Sequence, residues 1–169
     1  TIIVKKNKII GNILARQDAT LVPGAPNALF ARIIEDLGFE AVYVTGAGIA
    51  NMQLGVPDIG LTTLKEVAET VSSIADAVEI PLTVDADTGF GNVLNCHRSI
   101  RLLERSGASA IQLEDQVFPK KCGHFTGKAV VPTADMINKI KAAVDARENS
   151  EMKIIARTDA RAIISMDEA

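Results

Sequence analysis

Apolar residues along the chain alternate between two spacings. Short, largely apolar runs of strand length recur at 19–22, 41–44, 82–84, 110–113 and 153–156. Between them, apolar positions return every three or four residues, the period of a helix with one buried face. Asn27 opens such a segment, with Leu29, Phe30, Ile33, Ile34 and Leu37 on one face and Gly38 at its close. Leu64, Val67, Ala68, Val71, Ile74, Ala75 and Val78 define a second, ending near Glu79. Helices are expected also over 92–106 and, behind Pro132, over 133–148. The segment 45–62 has neither period and is expected to be a loop, and the last residues, 165–169, resemble the start of another helix.

Strands separated by helices of this length imply parallel strands joined by right-handed crossovers, hence an open doubly wound sheet or a closed barrel. Two features favour the barrel. The helix-end glycine, spacer, alanine and strand of 37–44 recur at 106–113, 69 positions later, which is two β/α units per period. Polar residues also follow successive strands, at Tyr43 and Thr45, at Asp85 and Asp87, at Glu114 and at Arg157 and Asp159, where barrels build their sites. The expected class is therefore α/β, a (β/α)8 TIM-type barrel of which residues 1–169, read as one domain, cover about the first five β/α units. A barrel ending there has an open strand edge, so the sequence reads as the first part of a longer one.

An apolar content of 47% supports a sizeable core, and a net charge of -3 with scattered Lys and Arg gives no footprint for nucleic acid. Cys96 and Cys122 suggest no disulfide framework, and a reducing cytoplasmic setting is expected. No run reaches 18 apolar residues, and the opening Thr1 to Lys8 lacks the order of a secretory signal, so neither a membrane span nor export is expected.

The richest chemistry lies at 85–91, where a strand runs into Asp85, Asp87 and a glycine turn. Side chains two apart share a strand face, so the two carboxylates should converge on a hard divalent cation; a helix cap or solvated turn is the competing reading. The next strand ends in Glu114-Asp115. Beyond it, 118–128 is a loop in which Cys122 stands two residues from His124. Lys120, Lys121 and His124 would lower the thiol pKa and make Cys122 an acid or base near neutral pH; an incidental cysteine in a solvated loop is the alternative.

These residues together resemble the isocitrate lyase and phosphoenolpyruvate mutase superfamily over nearly the whole chain from about Ala19. The markers are Val42-Tyr43-Val44-Thr45-Gly46-Ala47-Gly48, Gly55-Val56-Pro57-Asp58, Val84-Asp85-Ala86-Asp87-Thr88-Gly89, Glu114-Asp115-Gln116, Lys120-Lys121-Cys122-Gly123-His124 and Ile155-Ala156-Arg157-Thr158-Asp159. The resemblance implies Mg²⁺, with Mn²⁺ as a substitute, ligated by Asp85 and held through water by Asp58, Asp87 and Glu114. It further implies that Tyr43, Thr45, Gly46 and Ala47 contact the substrate, that Arg157 pairs with a carboxylate, that Cys122 protonates an enolate, and that Gly123 and His124 bind the departing carboxylate. The implied activity is cleavage of a C–C bond in a 2-hydroxy di- or tricarboxylate of the methylisocitrate, isocitrate or dimethylmalate type, by a homotetramer acting on a small carboxylate. Thr45 and Ala47 lean toward the dimethylmalate and carboxyphosphonoenolpyruvate type.

Each residue also has a plainer reading: Asp58 as a turn residue, Glu114 as a local cap or pair, Arg157 in an ion pair with Asp159 or Asp85, Tyr43 as packing. Cys96 and His97 read as helix residues without a chemical role. The rivals to a lyase are a phosphonomutase or an oxaloacetate or phosphonopyruvate hydrolase of the same superfamily, and, in another class, an inactive metal-binding fragment.

Overall fold

The structure is a computed structural model that describes residues 2–123, 125–167 and 169. The chain runs α1 (Ile2–Leu14), β1 (Gly24–Ala25), α2 (Ala28–Asp36), β2 (Val42–Val44), α3 (Gly46–Ile49), a π-helical turn (Ala50–Leu54), α4 (Leu64–Ala77), β3 (Leu82–Asp85), α5 (Val93–Arg105), β4 (Ala110–Glu114), α6 (Thr133–Ala146), β5 (Lys153–Arg157) and α7 (Ala160–Ile163). Among the described residues the sheet has five strands, every neighbouring pair is parallel, and spatial order equals chain order. A doubly wound sheet reverses order at a switch point; this one does not, as consecutive units of a barrel require.

Strand side chains alternate between faces. Val42, Val44, Leu82, Val84, Ile111 and Leu113 point to the helices and form the main core with Ile34, Val71, Ile74, Ile100 and Leu103. On the other face, Ala41 and Ala110, at the strand starts, pack under Ile10 and Ile13 of α1. Helix α1 thus covers the N-terminal end of the sheet, and the buried Lys6 ammonium ties it down by donating to the carbonyls of Val78 at 2.6 Å and Ala75 at 3.2 Å, where α4 ends.

The helix periods and strands after residue 27 hold to within a few residues; three local expectations do not, and one helix, α1, was not expected at all. Helix α1 was hidden because lysines interrupt its apolar positions. The first strand lies not at 19–22 but at Gly24–Ala25, after Pro23, which has no N–H for a ladder and pairs through its carbonyl, accepting from the Tyr43 amide at 2.9 Å. The supposed loop 45–62 contains α3 and the π-helical turn: Thr45 caps α3 by accepting the Gly48 amide at 3.2 Å, and Gly55, at φ 64°, ends the turn. At the other end the helix is Ala160–Ile163, ahead of 165–169.

Candidate active site

Strand register sets the site. Asp85 is aligned with Gln112, Gln112 with Ile155, Glu114 with Arg157, and Tyr43 with Thr83 two positions below Asp85. Given the alternation, Tyr43, Asp85, Gln112, Glu114 and Arg157 all stand on the face without crossover helices, with Asp85, Glu114 and Arg157 at the last position of their strands. This is the end at which barrel enzymes place chemistry.

Asp87 reaches the same place by a different route from the one its spacing suggested. Strand β3 ends at Asp85, and Asp87 lies beyond it at φ 47°, a left-handed conformation that Asp tolerates better than most residues. Its N–H donates to Asp85 Oδ1 at 3.1 Å and its carbonyl accepts the Glu114 amide at 2.9 Å, so the turn is pinned at both ends. Gly46 makes room for the pair: a Cβ there would lie 3.2 Å from Asp85 Oδ2 and 3.4 Å from Asp87 Oδ1. Beside it, Ala47 occupies the second position of α3, and neither first-turn N–H has an intrahelical acceptor.

Lys120 enters this acidic cluster from the loop after β4. Its ammonium is buried, hydrogen-bonded to Asp58 and 2.6 Å from Asp87 Oδ1. Asp58 is therefore an ion-pair partner rather than a turn residue. Burial opposes the Lys120 charge, but Asp87 and Asp58 outweigh it and hold the ammonium above its ordinary pKa. Burial, joined by the charge of Asp85, pushes the Asp87 carboxyl up to about 6 despite Lys120. Glu114 is pushed up to about 7, mainly by burial, with Arg157 opposing. Arg157 Nη1 lies 3.4 Å from Glu114 Oε2, and its Nη2 lies 3.5 Å from Asp159. Tyr43 is held well above the usual phenol range by burial first and by the Asp85 charge next.

The loop 118–128 is anchored at both ends. Val117 donates to Ala129 at 2.8 Å and Val131 to Asp115 at 2.8 Å, closing a short antiparallel ladder at its base. The buried Gln116 side chain accepts the Lys121 amide at 2.9 Å and donates to the Lys121 carbonyl at 2.9 Å and to Asp159 at 2.8 Å. Lys121 Nζ binds the carbonyl of Gly127, and Lys128 Nζ that of Gly123, each at 2.9 Å. Gly123 packs against Arg157, since a Cβ on it would stand 3.1 Å from Nη2. Of the two lysines expected to act on the Cys122 thiol, Lys120 is committed to buried carboxylates and Lys121 donates to the loop's own carbonyls. Cys122 itself is half-buried; His124 lies outside the described residues.

Sequence reasoning missed Gln112, and it marked Asp115 and Gln116 without giving either a role; Asp115 accepts the Thr158 hydroxyl at 2.5 Å and the Asp159 amide at 3.0 Å and so fixes the turn after Arg157. Polar residues inside strand or strand-end runs were the available signal.

Among the described residues no three His, Cys, Asp or Glu side chains stand close enough to enclose a metal ion by themselves. The donors nonetheless suit a hard cation that keeps most of its waters: they are oxygens only, and Glu114 Oε1 is buried without a hydrogen-bond partner. Among the described residues the cations at Asp58, Asp85, Asp87 and Glu114 are Lys120 and Arg157, so full ionisation leaves two negative charges to be balanced by another cation.

The sequence profile described as phosphoenolpyruvate phosphomutase matches residues 11–168. The chain is 48% identical over 157 residues to a 2,3-dimethylmalate lyase of Eubacterium barkeri, covering 93% of this chain and 54% of that one. It is 47% identical over 161 residues to a 2-methylisocitrate lyase of Aeropyrum pernix, covering 95% and 51%. Among solved structures, oxaloacetate acetylhydrolase in complex with 3,3-difluorooxalacetate superposes with a TM-score of 0.90 at 35% identity, covering 98% of this chain and 57% of the other. Phosphonopyruvate hydrolase with oxalate and Mg²⁺ superposes at 0.83 and 34% identity, covering 92% and 53%. The chain spans about half the length of the curated relatives it matches. With a profile match over nearly all of its residues and a sheet laid out as in these barrels, the chain belongs to the phosphoenolpyruvate phosphomutase family, within the isocitrate lyase and phosphoenolpyruvate mutase superfamily.

Proposed function

We propose that this chain is the N-terminal part of a (β/α)8 barrel and carries the metal and proton-donor side of a Mg²⁺-dependent C–C lyase acting on a 2-hydroxy di- or tricarboxylate. The supporting observation is the meeting of Asp85, Glu114 and Arg157 at three successive strand ends, with Gly123 of the Cys122 loop against the Arg157 guanidinium. Among the described residues no helix is long and apolar enough to cross a membrane. The reading carries with it a small, water-borne carboxylate substrate and a cytoplasmic homotetramer.

In this reading Asp85 would ligate the ion, and Asp58, Asp87 and Glu114 would accept hydrogen bonds from its waters. When bound, Mg²⁺ or Mn²⁺ supplies positive charge beside the substrate 2-oxygen. Arg157 pairs with a substrate carboxylate through its planar fork, shared with Glu114 until substrate arrives. Thr45, Gly46 and Ala47 line the same end, where the unpaired amides of Gly46 and Ala47 suit an anionic oxygen. Tyr43, kept protonated, offers a hydrogen-bond donor. The 2-hydroxyl passes its proton to a carboxylate of the strand-end cluster, the adjacent C–C bond breaks to give the oxoacid carbonyl and an enolate that keeps the bonding pair, and Cys122 Sγ gives its proton to the enolate carbon and is reprotonated from solvent, while Gly123 and His124 hold the departing carboxylate. Closure of 118–128 over Arg157 excludes water.

Pyruvate or glyoxylate release from 2,3-dimethylmalate, 2-methylisocitrate and isocitrate, with and without Mg²⁺, tests the reading. Metal-dependent release from one of them, lost in Cys122→Ser, is the expected result. Turnover of oxaloacetate alone would replace the lyase with a hydrolase, and metal binding without turnover of any would leave a metal-binding unit.

A further inference from the structure

We infer that Gln112 is a positioning residue that aims the Tyr43 hydroxyl at Asp85, an assignment that rests on the site proposed above. Gln112 Nε2 donates to Tyr43 Oη at 2.9 Å. The two residues sit on β2 and β4, with β3 between them, and alternate strands of a parallel barrel contribute side chains to one interior layer. Gln112 is also aligned with Asp85, so the amide borders both the phenol and the carboxylate.

A phenol has one proton to donate and an oxygen that accepts. With the oxygen accepting from the Gln112 amide, the O–H is left to donate; Tyr43 is aligned with Thr83, so Asp85, two positions further along β3 on the same face, is the diagonal carboxylate it is aimed toward. The amide therefore fixes the direction of the Tyr43 proton as well as the ring position. Methionine at this position would keep the length and lose the N–H. Glutamate would place a competing acceptor there and draw the phenol proton away from Asp85.

Tyr43 is the single tyrosine among these 169 residues, which hold no tryptophan, so a difference in tyrosine emission between wild type and a variant at Gln112 or Asp85 is read from this residue. A phenol that donates to a carboxylate is quenched. Asp85→Asn is expected to raise the emission, Gln112→Met to raise it too, and the double variant to rise no further than the larger single effect, the non-additivity of two groups acting through one bond. Gln112→Glu is expected to stay quenched whether or not Asp85→Asn accompanies it. In turnover, Gln112→Met is expected to lower kcat roughly tenfold or more with a smaller change in KM. Far-UV circular dichroism identifies a variant that fails to fold, in which case the other Gln112 substitution carries the test. Wild-type emission in Gln112→Met, or simple addition of its effect to that of Asp85→Asn, would overturn the assignment. The emission measurement needs no turnover, so its failure is separable from failure of the lyase reading.

Discussion

Asp87, on the turn after β3, and Lys120, on the loop after β4, form a buried ion pair with Oδ1 and Nζ 2.6 Å apart and side chains 9% and 4% exposed. The same ammonium is hydrogen-bonded to Asp58, so one cation joins the loop 118–128 to two segments of the site. Removing one partner of a buried pair strands the other charge, which typically costs about 3–5 kcal/mol. Lys120→Met is therefore expected to lower the unfolding free energy of the metal-free protein by roughly that amount in urea titrations with a chelator present. A loss below about 1 kcal/mol, the level of an exposed pair, would contradict the buried clamp.

The fold and the site differed in how much of them the sequence could disclose. Strand order and the helix faces were legible because burial imposes a period on them: Val42, Val44, Leu82, Val84, Ile111 and Leu113 must be apolar to meet the helices. Asp85, Glu114 and Arg157 were legible because a charged residue ending an apolar strand is conspicuous. Lys120 was not. Nothing in Lys120-Lys121 says which lysine turns inward, since that depends on Asp58 being brought next to it from 62 residues earlier. Gln112 was concealed for a related reason, because its partner Tyr43 becomes a neighbour only once the sheet is assembled. Helix α3 was hidden by Gly46 and Gly48, poor helix formers whose value here is the space they leave for Asp85 and for Thr45.

Helix α4 begins where the Asp58 segment ends, and its start is held by a reciprocal cap. The Thr63 amide donates to Glu66 Oε2 at 2.7 Å, and the Glu66 amide to the Thr63 hydroxyl at 3.4 Å. Thr63→Ala is expected to cost about 1 kcal/mol at pH 7. The Glu66 carboxyl is held below its ordinary value by the Thr63 amide first and the hydroxyl second. A depressed carboxylate contributes stability above its unfolded pKa and loses it as pH falls through the folded one. The difference between Thr63→Ala and wild type should thus narrow between neutral pH and pH about 3. A gap that stays constant over that range would show that the Thr63 hydroxyl does not act through the Glu66 carboxylate.

The two thiols are expected to separate cleanly. Cys96 is buried on α5, its sulfur 3.7 Å from the Lys139 carbonyl, and burial pushes its pKa up to about 11. Cys122 is half-buried in the loop. A thiol reagent such as dithiobisnitrobenzoate should modify one cysteine per folded chain at neutral pH, none in Cys122→Ser, and the second only in denaturant. Rapid reaction of both in the folded protein would show that α5 does not shield Cys96.

Helix α1 is held by a lysine that has no carboxylate partner among the described residues. Lys6 Nζ is buried and donates to the carbonyls of Ala75 and Val78, so the terminal carbonyls of α4 receive a charged donor where the helix dipole is negative. Hydrogen bonds to a charged group contribute about 1.5–3 kcal/mol, and an isosteric apolar side chain would leave two buried carbonyls without a partner. Lys6→Met is expected to reduce stability by about 2 kcal/mol and to speed hydrogen exchange first in α1 and the end of α4, leaving β3 to β5 protected. Because α1 lies at the opposite end of the strands from Asp85 and Glu114, metal binding by the folded variant should match wild type. A fall in metal affinity with no loss of stability would mean that α1 acts on the far end of the sheet through the Ile10 and Ile13 layer rather than serving as its floor.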